Sequence, residues 1–304
     1  MITTPNVKVN LGLNILRKRE DGFHDLETLF VPYFGITDTL EIVVGDDYSR
    51  TSAALFAKYG PDARMCSGNS GQEGVFGVGA EEVSAPRLVQ GISEDGKMMV
   101  TIAREEGVDW DPLNDLTAKA YRILAEDFDM PPVKIFLEKT SPVGAGLGSG
   151  SSDAAFALKM LNGMCGLELS ESRLAAYAAR LGSDCAFFIY NRPMIGEGRG
   201  EILTEYPLSC INGYELQVIA PAGISVSTKE AYSGIRPHIP EIPLREALEK
   251  DVEEWTDVLG NDFEETVFAA HPELAAIKRS LYDSGAVYAA MSGSGSALFA
   301  LYRL

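Results

Sequence analysis

The sequence predicts an α+β fold, because segments with the two-residue period of strands and segments with helical spacing occur without a regular β-α-β repeat. Residues 7–15 alternate strictly between apolar and polar or small side chains, and residues 133–139 alternate in the same way. Residues 116–124 instead place apolar side chains at helical spacing. With 304 residues, of which 46% are hydrophobic, the chain can bury a large core in one or two domains without disulfide bonds.

The first third of the chain predicts strands and one long insertion. The strands are expected at residues 7–15, 27–34, 39–44 and 98–103. Residues 46–97, between the third and the fourth, are rich in Gly, Ala, Ser and charged side chains without a clean period. This composition predicts a long insertion or a mobile excursion between strands.

The rest of the chain predicts helices on either side of a glycine-rich loop. A helix at 115–127 is expected to begin after Asn114 as its N-cap, and a helix at 171–181 after Ser170. The other expected elements are a helix at 152–164, a strand at 214–220, a short helix within 226–234, helices at 244–250 and 262–283, and a strand–turn–strand around 291–297. The acidic stretch 251–265 predicts a solvated helix surface.

Charge and composition exclude several classes of protein. Lys and Arg number 26 against 44 for Asp and Glu, a formal net charge of −18, which disfavours nucleic-acid binding. The sequence lacks an apolar run of about 18 residues, the length that predicts a membrane span. The four cysteines are far apart and the three histidines lack metal-ligand spacing. Because the first residues do not resemble a signal peptide, we expect a cytoplasmic, reducing setting. The oligomeric state is left open.

The glycine-rich loop is the strongest functional motif. Between a predicted strand and a predicted helix stand Pro142, Val143, Gly144, Ala145, Gly146, Leu147, Gly148, Ser149, Gly150, Ser151 and Ser152. Glycines let a ligand approach the main chain, and a helix N-terminus offers unpaired N–H groups, so such a loop is typical of phosphate binding. The alternative is a structural loop whose glycines permit tight packing.

Two familiar phosphate motifs do not fit this loop. A Walker A loop needs a lysine after its last glycine, and residues 142–155 contain none. A dinucleotide fingerprint that begins at Gly144 needs glycine at position 149, where this chain has Ser149. A nicotinamide-dependent oxidoreductase is therefore disfavoured.

Individual residues leave two interpretations open. Lys8 shares a strand face with Asn10, roughly 6.6 Å away by strand rise, and is either solvated or directed at a ligand. Asp184 precedes an apolar run and either satisfies a turn or acts as a general base. His24 follows Phe23 in a turn, where the pair is either structural or suited to a pyrimidine.

Several segments together resemble one family. They are residues 5–13, residues 19–30 with Asp-Gly-Phe-His, the loop 142–155, residues 181–188 with Gly-Ser-Asp, and more weakly residues 197–201 and 291–296. In this order they are similar to the GHMP kinase superfamily, and the Asp-Gly-Phe-His segment selects the branch that acts on a cytidine-diphosphate sugar alcohol. The resemblance implies a two-domain fold, with an N-terminal half like domain 2 of ribosomal protein S5 and a C-terminal α/β sandwich.

The resemblance also implies an activity, which is ATP-dependent phosphorylation of the 2-hydroxyl of that sugar alcohol in isoprenoid precursor biosynthesis, with ATP and Mg²⁺ as cofactors. Lys8 falls where the family has its active-site lysine, and Asp184 where it has its catalytic aspartate. The residues that match substrate-binding positions are Asn10, Phe23, His24, Thr228 and Tyr232. Asn114 matches an asparagine near the adenine. Ser152 is left open between a cap, a phosphate contact and a Mg²⁺ ligand.

The expected domains are residues 1–190, including the insertion at 46–97, and residues 191–304. A related kinase for a mevalonate-like or homoserine-like alcohol is the nearest alternative, and it would not need the pyrimidine-binding residues. A non-catalytic nucleotide sensor is a further alternative, disfavoured because both Lys8 and Asp184 are present. The expected partner is thus a small molecule, with neither nucleic acid nor membrane involved.

Overall fold

The computed structural model describes residues 1–45, 49–60, 63–66 and 85–304. The strands are β1 (Ile2–Thr3), β2 (Asn6–Lys18), β3 (His24–Thr37), β4 (Thr39–Val44), β5 (Ala63–Cys66), β6 (Leu88–Ile92), β7 (Met98–Ala103), β8 (Val133–Glu138), β9 (Met194–Gly198), β10 (Ile202–Glu205), β11 (Tyr214–Ile219), β12 (Tyr288–Met291) and β13 (Leu298–Arg303). The helices are α1 (Ser52–Tyr59), α2 (Leu116–Ala125), α3 (Ser149–Met164), α4 (Glu171–Leu181), α5 (Cys185–Tyr190), α6 (Thr228–Ser233), α7 (Leu244–Leu248), α8 (Trp255–Val258), α9 (Phe263–Ala270) and α10 (Pro272–Asp283).

The chain forms two compact units whose segments alternate along the sequence. Unit 1 comprises Met1–Pro5, Ile36–Ser141 and Gly150–Leu181, and unit 2 comprises Asn6–Gly35, Pro142–Ser149 and Gly182–Leu304. The domain boundary expected at residue 190 concerns the family's domains rather than these units, and it stays a prediction.

Unit 1 is built on a six-stranded mixed sheet in the order β1-β4-β8-β7-β6-β5. The β7–β8 and β5–β6 pairs are parallel and the others antiparallel. Helix α1 covers part of this sheet, and its Leu55 and Tyr59 pack with Val43, Leu88 and Phe136 in a buried cluster. The apolar side chains of the strands therefore supply the core against which α1 lies.

The described part of residues 46–97 is structured, contrary to the expected excursion. Strands β5 and β6 belong to the sheet of unit 1, and α1 contributes to its core. These elements are too short to produce a clear period in the sequence. Residues 46–48, 61, 62 and 67–84 of that prediction lie outside the described residues, and an insertion relative to the family stays a prediction.

Unit 2 contains two sheets. One has the order β10-β9-β3-β2 and the other the order β11-β13-β12. In the second sheet, β13 pairs antiparallel with both neighbours. Apolar side chains of β2, α9, α10, β12 and β13 form one buried cluster, which includes Ile15, Phe263, Leu274 and Leu298.

The expected helix at 262–283 is interrupted at one point. Helix α9 ends before His271, and α10 begins at Pro272. Proline lacks an amide hydrogen and disfavours a helical conformation of the residue before it, so the helical period continues while the helix does not.

One further local prediction is wrong, and another is confirmed only in part. The N-cap of α2 is Asp115, whose side chain accepts a hydrogen bond from the Thr117 amide at 2.8 Å, while Asn114 lies in a 3₁₀ turn before it. The acidic stretch 251–265 is not all solvated surface. Asp262 accepts a hydrogen bond from the Ile15 amide at 2.6 Å, because β2 is an edge strand of its sheet and, among the described residues, that donor has no partner strand.

A buried charge cluster joins three elements of unit 1. The Lys139 ammonium donates to Asp38 at 2.5 Å and to Asp153 at 2.6 Å, and all three side chains are at least 95% buried. Asp38 also accepts hydrogen bonds from the amides of Thr140 and Ser141. The cluster thus ties residues immediately before the glycine-rich loop to the first turns of α3.

The pH dependence of stability tests the charge of this cluster. Burial, opposed by the charge of Lys139 and reinforced by that of Asp38, raises the pKa of Asp153 to about 8. Between about pH 4 and 8 the folded state therefore binds a proton that the unfolded chain releases, so this group's contribution to stability falls as the pH rises. We expect the free energy of unfolding of Asp153→Asn, relative to the unsubstituted protein, to increase from pH 5 to pH 8. Urea denaturation across this range measures the difference, and parallel pH profiles would contradict the assignment.

Among the described residues, no helix is both long enough and apolar enough to cross a membrane.

Candidate active site

Lys8 is held on the inner side of β2 in unit 2. Its side chain is 3% exposed, and its ammonium donates to the Gly146 carbonyl at 2.8 Å and to the Asn10 side-chain oxygen. The Lys8 amide donates to the Leu147 carbonyl at 3.0 Å, so the glycine-rich loop runs beside the strand. This burial contradicts the interpretation of Lys8 as a solvated strand lysine.

The ammonium of Lys8 also faces Asp184, with Nζ 3.4 Å from Oδ2. Burial lowers the pKa of Lys8, and the charge and hydrogen bond of Asp184 oppose that shift. The structure thus brings together the two residues that the sequence proposed as the reacting pair.

Asp184 precedes α5, whose residues 185–189 are all buried. Its side chain makes no capping hydrogen bond to that helix, although it occupies the N-cap position. The carboxylate is 30% exposed. The carboxylate therefore does not cap the helix, and it remains accessible to a ligand.

The loop segment Pro142–Ser149 packs against a second turn of unit 2. The Ala297 amide donates to the Ala145 carbonyl at 3.0 Å, and the Ser292 hydroxyl donates to the Gly146 carbonyl at 3.2 Å. A Cβ at Gly146, where φ is +76°, would overlap the Ser292 carbonyl oxygen, whereas one at Gly144, where φ is +70°, would meet nothing within 4 Å. Tight packing thus explains the glycine at 146 but not the glycine at 144, which stays available for a ligand.

These two glycines make a matched pair for mutation. Both alanine variants carry the strain of positive φ, about 1–2 kcal/mol, but only Gly146→Ala adds a collision with main chain. We expect Gly146→Ala to lower kcat/KM by at least about tenfold more than Gly144→Ala, because displacing the loop moves the carbonyl that holds Lys8. Steady-state kinetics at fixed ATP, with melting temperatures as a control for folding, measure this difference. Equal losses in the two variants would show that the turn at 292–296 does not support the loop.

Two of the three aromatic residues predicted to bind substrate, His24 and Tyr232, are in contact. The rings of His24 and Tyr232 stack with centroids 4.8 Å apart, and Phe263 packs edge-on against Tyr232 at 4.8 Å. Phe23 stands at the neighbouring turn, 54% exposed, with the Arg199 guanidinium 5.0 Å from its ring centre. Burial and then the charge of Asp184 raise the pKa of Tyr232. Unit 2 thus holds an aromatic pair, and Asp184 is close enough to affect its hydroxyl.

Two further predicted site residues belong to unit 2. Asn10 is buried, and its amide nitrogen donates to the Thr28 hydroxyl at 3.1 Å. Thr28 in turn donates to the Gly12 carbonyl at 2.5 Å, a link that the strand pattern did not reveal. Thr228 is exposed as the first residue of α6, next to the capping Ser227. Asn10 therefore supports Lys8, while Thr228 is available for contact.

Other predicted site residues belong to unit 1. Asn114 donates to the Asp111 side chain at 3.3 Å within its 3₁₀ turn. Ser152 lies in the first turns of α3, completely buried, and its hydroxyl has no hydrogen-bond partner among the described residues. Gly150 and Ser151 precede it in the same helix. An unsatisfied buried hydroxyl is unusual in a folded protein, and this one retains the capacity to bind a ligand.

Some functional-site residues escaped the sequence analysis. Asn261, Lys139 and Asp38 are buried polar side chains. Asn261 and Asp38 hydrogen-bond to main chain, and Lys139 donates to the carboxylates of Asp38 and Asp153. The sequence indicated only Lys139, a charged residue at the end of an apolar strand and three residues before the loop. It could not indicate the partners of these residues, because they lie elsewhere in the chain.

Comparison with protein families places the chain among kinases. The model described as "GHMP kinases N terminal domain" matches residues 115–192, and the model "GHMP kinases C terminal" matches residues 244–303. Both matches are in the order that the sequence motifs predicted. The predicted α+β class and two-domain GHMP kinase fold are thereby confirmed.

Curated relatives match along the full chain. The chain is 43% identical over 303 residues to a protein of Bacteroides thetaiotaomicron, and the match covers 100% of this chain and 92% of the relative. It is 41% identical over 302 residues to one of Bacteroides fragilis, covering 99% and 92%. Both relatives are named 4-diphosphocytidyl-2-C-methyl-D-erythritol kinase.

Solved structures agree with this assignment. A 4-(cytidine 5'-diphospho)-2C-methyl-D-erythritol kinase is similar with a TM-score of 0.67 and 28% identity, over 99% of this chain and 90% of that one. A homoserine kinase of Cytophaga hutchinsonii shares the fold at a TM-score of 0.59 and 16% identity, over 98% and 85%. The chain therefore belongs to the GHMP kinases, and within them to the family of the 4-diphosphocytidyl-2-C-methyl-D-erythritol kinases.

Proposed function

We propose that this chain transfers the terminal phosphoryl group of ATP to the 2-hydroxyl of 4-diphosphocytidyl-2-C-methyl-D-erythritol. Membership of a kinase family implies the use of ATP, and the names of the full-length relatives supply the acceptor. The observation that carries the proposal is the Lys8–Asp184 pair, 3.4 Å apart beside the glycine-rich loop.

In the proposed step, an oxygen–phosphorus bond forms as the bond between the terminal phosphorus and the leaving oxygen of ADP breaks. The proton of the acceptor hydroxyl passes to a carboxylate oxygen of Asp184, which acts as the general base. The partial exposure of Asp184 and its lack of a capping role support this assignment.

Lys8 is proposed to stabilise negative charge on the transferring group. Its ammonium is buried, and the Gly146 carbonyl and Asn10 fix its position. A preorganised cation in a water-poor site interacts with developing charge more strongly than one in water. The charge and hydrogen bond of Asp184 favour the ammonium form of Lys8 against the effect of burial.

The glycine-rich loop, residues 142–152, is proposed to bind the triphosphate through its main-chain amides and the start of α3. Asn114 is proposed to contact the adenine.

Mg²⁺ is part of the proposal as well. The described residues include no cluster of three or more acidic, His or Cys side chains suited to a metal, which fits an ion held mainly by phosphate oxygens and water. The unpartnered hydroxyl of Ser152 is the protein group that would bind it.

The substrate side of the proposal uses the aromatic residues. Phe23 and Tyr232 offer ring faces to the cytosine and His24 offers hydrogen-bonding edges. Burial, and to a lesser extent Lys18, lowers the pKa of His24, which favours the neutral ring with one donor and one acceptor. Asn10 and Thr228 are proposed as polar contacts to the sugar alcohol.

The proposal includes a cytoplasmic setting. Among the described residues, Cys165, Cys185 and Cys210 are not in disulfide bonds, as expected in a reducing compartment.

A coupled assay of ADP release tests the function. The purified chain is given Mg²⁺ and ATP with 4-diphosphocytidyl-2-C-methyl-D-erythritol, mevalonate or homoserine in separate reactions. We expect turnover with the first acceptor and a kcat/KM at least about a hundredfold lower with the others, because neither has a pyrimidine to occupy the aromatic residues. Preference for mevalonate or homoserine would favour a related kinase, and no ADP release with any acceptor would favour a nucleotide sensor.

A further inference from the structure

Asn261 lies in a short segment that pairs with the edge of β2. The Leu13 amide donates to the Gly260 carbonyl at 2.8 Å, and the Asp262 amide donates to the Leu13 carbonyl at 3.0 Å. The segment therefore runs along the strand that carries Lys8 and Asn10. Asn261 is 6% exposed, so its side-chain amide must find its partners within the protein.

All the hydrogen bonds of this amide go to main chain. Its nitrogen donates to the carbonyls of Met291 at 2.7 Å and Gly293 at 2.9 Å, and its oxygen accepts from the Phe263 amide at 3.0 Å. Two carbonyls on one end and an N–H group on the other determine the orientation of the amide. One side chain thus joins residues 291–293 to the start of α9, which follows Asn261 directly along the chain.

The nitrogen end leads to the catalytic pair. Ser292 lies between Met291 and Gly293, whose carbonyls Asn261 holds. The Ser292 hydroxyl accepts a hydrogen bond from the main-chain amide of Asn10 at 3.3 Å and donates one to the Gly146 carbonyl at 3.2 Å. That same carbonyl accepts from the Lys8 ammonium at 2.8 Å. The position of residues 291–293 therefore bears directly on where the ammonium of Lys8 stands.

The oxygen end leads to the aromatic residues. Phe263 is the first residue of α9, and its amide is the group that Asn261 accepts from. Its ring packs edge-on against Tyr232, which stacks on His24. A shift of the start of α9 would therefore move the rings proposed to hold the cytosine.

We propose that Asn261 is a positioning residue that sets the distance between the Lys8–Asp184 pair and the His24–Tyr232 pair. The inference rests on the proposed function, because a kinase that binds its acceptor by a distant pyrimidine must place the acceptor hydroxyl at the base. A single buried amide that holds both sides keeps this distance constant, and small misplacement of a reacting group is costly.

Asn261→Asp separates the two ends of the amide. One carboxylate oxygen still accepts a hydrogen bond from the Phe263 amide. The other oxygen replaces the NH₂ group and cannot donate to the carbonyls of Met291 and Gly293. We expect kcat to fall by about a hundredfold, the loss typical of a displacement of about 1 Å, with the Kd of the probe cytidine diphosphate unchanged. Asn261→Ala removes both ends, so kcat should fall and cytidine diphosphate should bind more weakly. Steady-state kinetics and calorimetry measure the two quantities on folded protein.

Asn162→Asp is the matched control. Asn162 likewise bridges main chain, donating to the Leu169 carbonyl and accepting from the Leu169 amide, within unit 1. We expect it to lower the melting temperature and to leave kcat and cytidine diphosphate affinity unchanged. If Asn261→Asp behaves like this control, its role is merely structural and the proposal is overturned.

Two gentler variants test each side if Asn261→Asp does not fold. Ser292→Ala should lower kcat about tenfold with unchanged cytidine diphosphate binding, the effect of about one lost hydrogen bond at the Gly146 carbonyl. Phe263→Leu should weaken cytidine diphosphate binding up to about tenfold with kcat unchanged at saturating acceptor. If both variants change the same quantity, Asn261 does not connect two separate functions. Turnover of the unsubstituted chain with each acceptor tests the proposed function independently. The kcat of every variant is then measured with the acceptor that the unsubstituted chain phosphorylates.

Discussion

Asp184→Asn is expected to lower kcat by about 10³-fold, within the range of 10²–10⁴ that general-base catalysis contributes. The amide has nearly the same shape as the carboxylate but cannot accept the proton of the acceptor hydroxyl. Because Asp184 makes no capping hydrogen bond and is partly exposed, the substitution should leave the melting temperature close to that of the unsubstituted protein. Single-turnover measurements with saturating ATP report the chemical step directly.

Lys8→Met is the companion variant and should lower kcat by about 10²–10³-fold, the range found when one charge-stabilising donor is removed. Methionine retains much of the buried aliphatic part of the lysine side chain. It removes the ammonium group, whose pKa burial already lowers. We therefore expect little loss of stability, although the carbonyl of Gly146 loses a donor.

The two variants together distinguish catalysis from structure. Their combined effect on kcat should be much smaller than the product of the single effects, because the residues act on one step as a unit. Cytidine diphosphate should bind both variants with the affinity of the unsubstituted chain. Near-normal turnover in either variant would remove that residue from the mechanism.

Lys139→Met should produce the largest change in stability, a loss of about 3–5 kcal/mol in the free energy of unfolding. The substitution leaves Asp38 and Asp153 buried without their shared cation. Burial lowers the pKa of Lys139, but the charges of Asp153 and Asp38 outweigh this effect and raise it, so the lysine is charged in the folded protein.

The two tryptophans allow this loss to be assigned. Trp110 belongs to unit 1 and Trp255 to unit 2. Urea denaturation followed by fluorescence, in Trp110→Phe and Trp255→Phe backgrounds, reports each unit separately. The transition followed by Trp110 should move to lower urea in Lys139→Met.

A second substitution should restore much of the loss. In Lys139→Met with Asp153→Asn, the buried carboxyl with the raised pKa is removed, so folding near neutral pH no longer requires that group to take up a proton. Asp38 keeps the amides of Thr140 and Ser141 and the Ser141 hydroxyl as donors. If the double variant is no more stable than Lys139→Met, the buried Asp153 carboxyl does not destabilise Lys139→Met.

Local patterns predicted most elements because neighbouring residues contain the relevant information. The strict alternation at 7–15 corresponds to β2, and the expected cap Ser170 does accept a hydrogen bond, from the Arg173 amide at 3.3 Å. Short elements such as β6 and α5 escaped, since four to six residues show no clear period. The break at Pro272 was readable in principle, because proline has a known effect on the residue before it.

The motifs of the sequence were sufficient to identify the family and to nominate Lys8, Asp184 and the glycine-rich loop, because that information lies in contiguous residues. The contacts that assemble them depend on the fold: the burial of Lys8 against Gly146, the stacking of His24 on Tyr232 and the double role of Asn261. All of these join residues that are far apart along the chain, except the bond of Asn261 to the nearby Phe263 amide. Hydrogen bonds and ion pairs of this kind require particular distances in space, which no local spacing encodes.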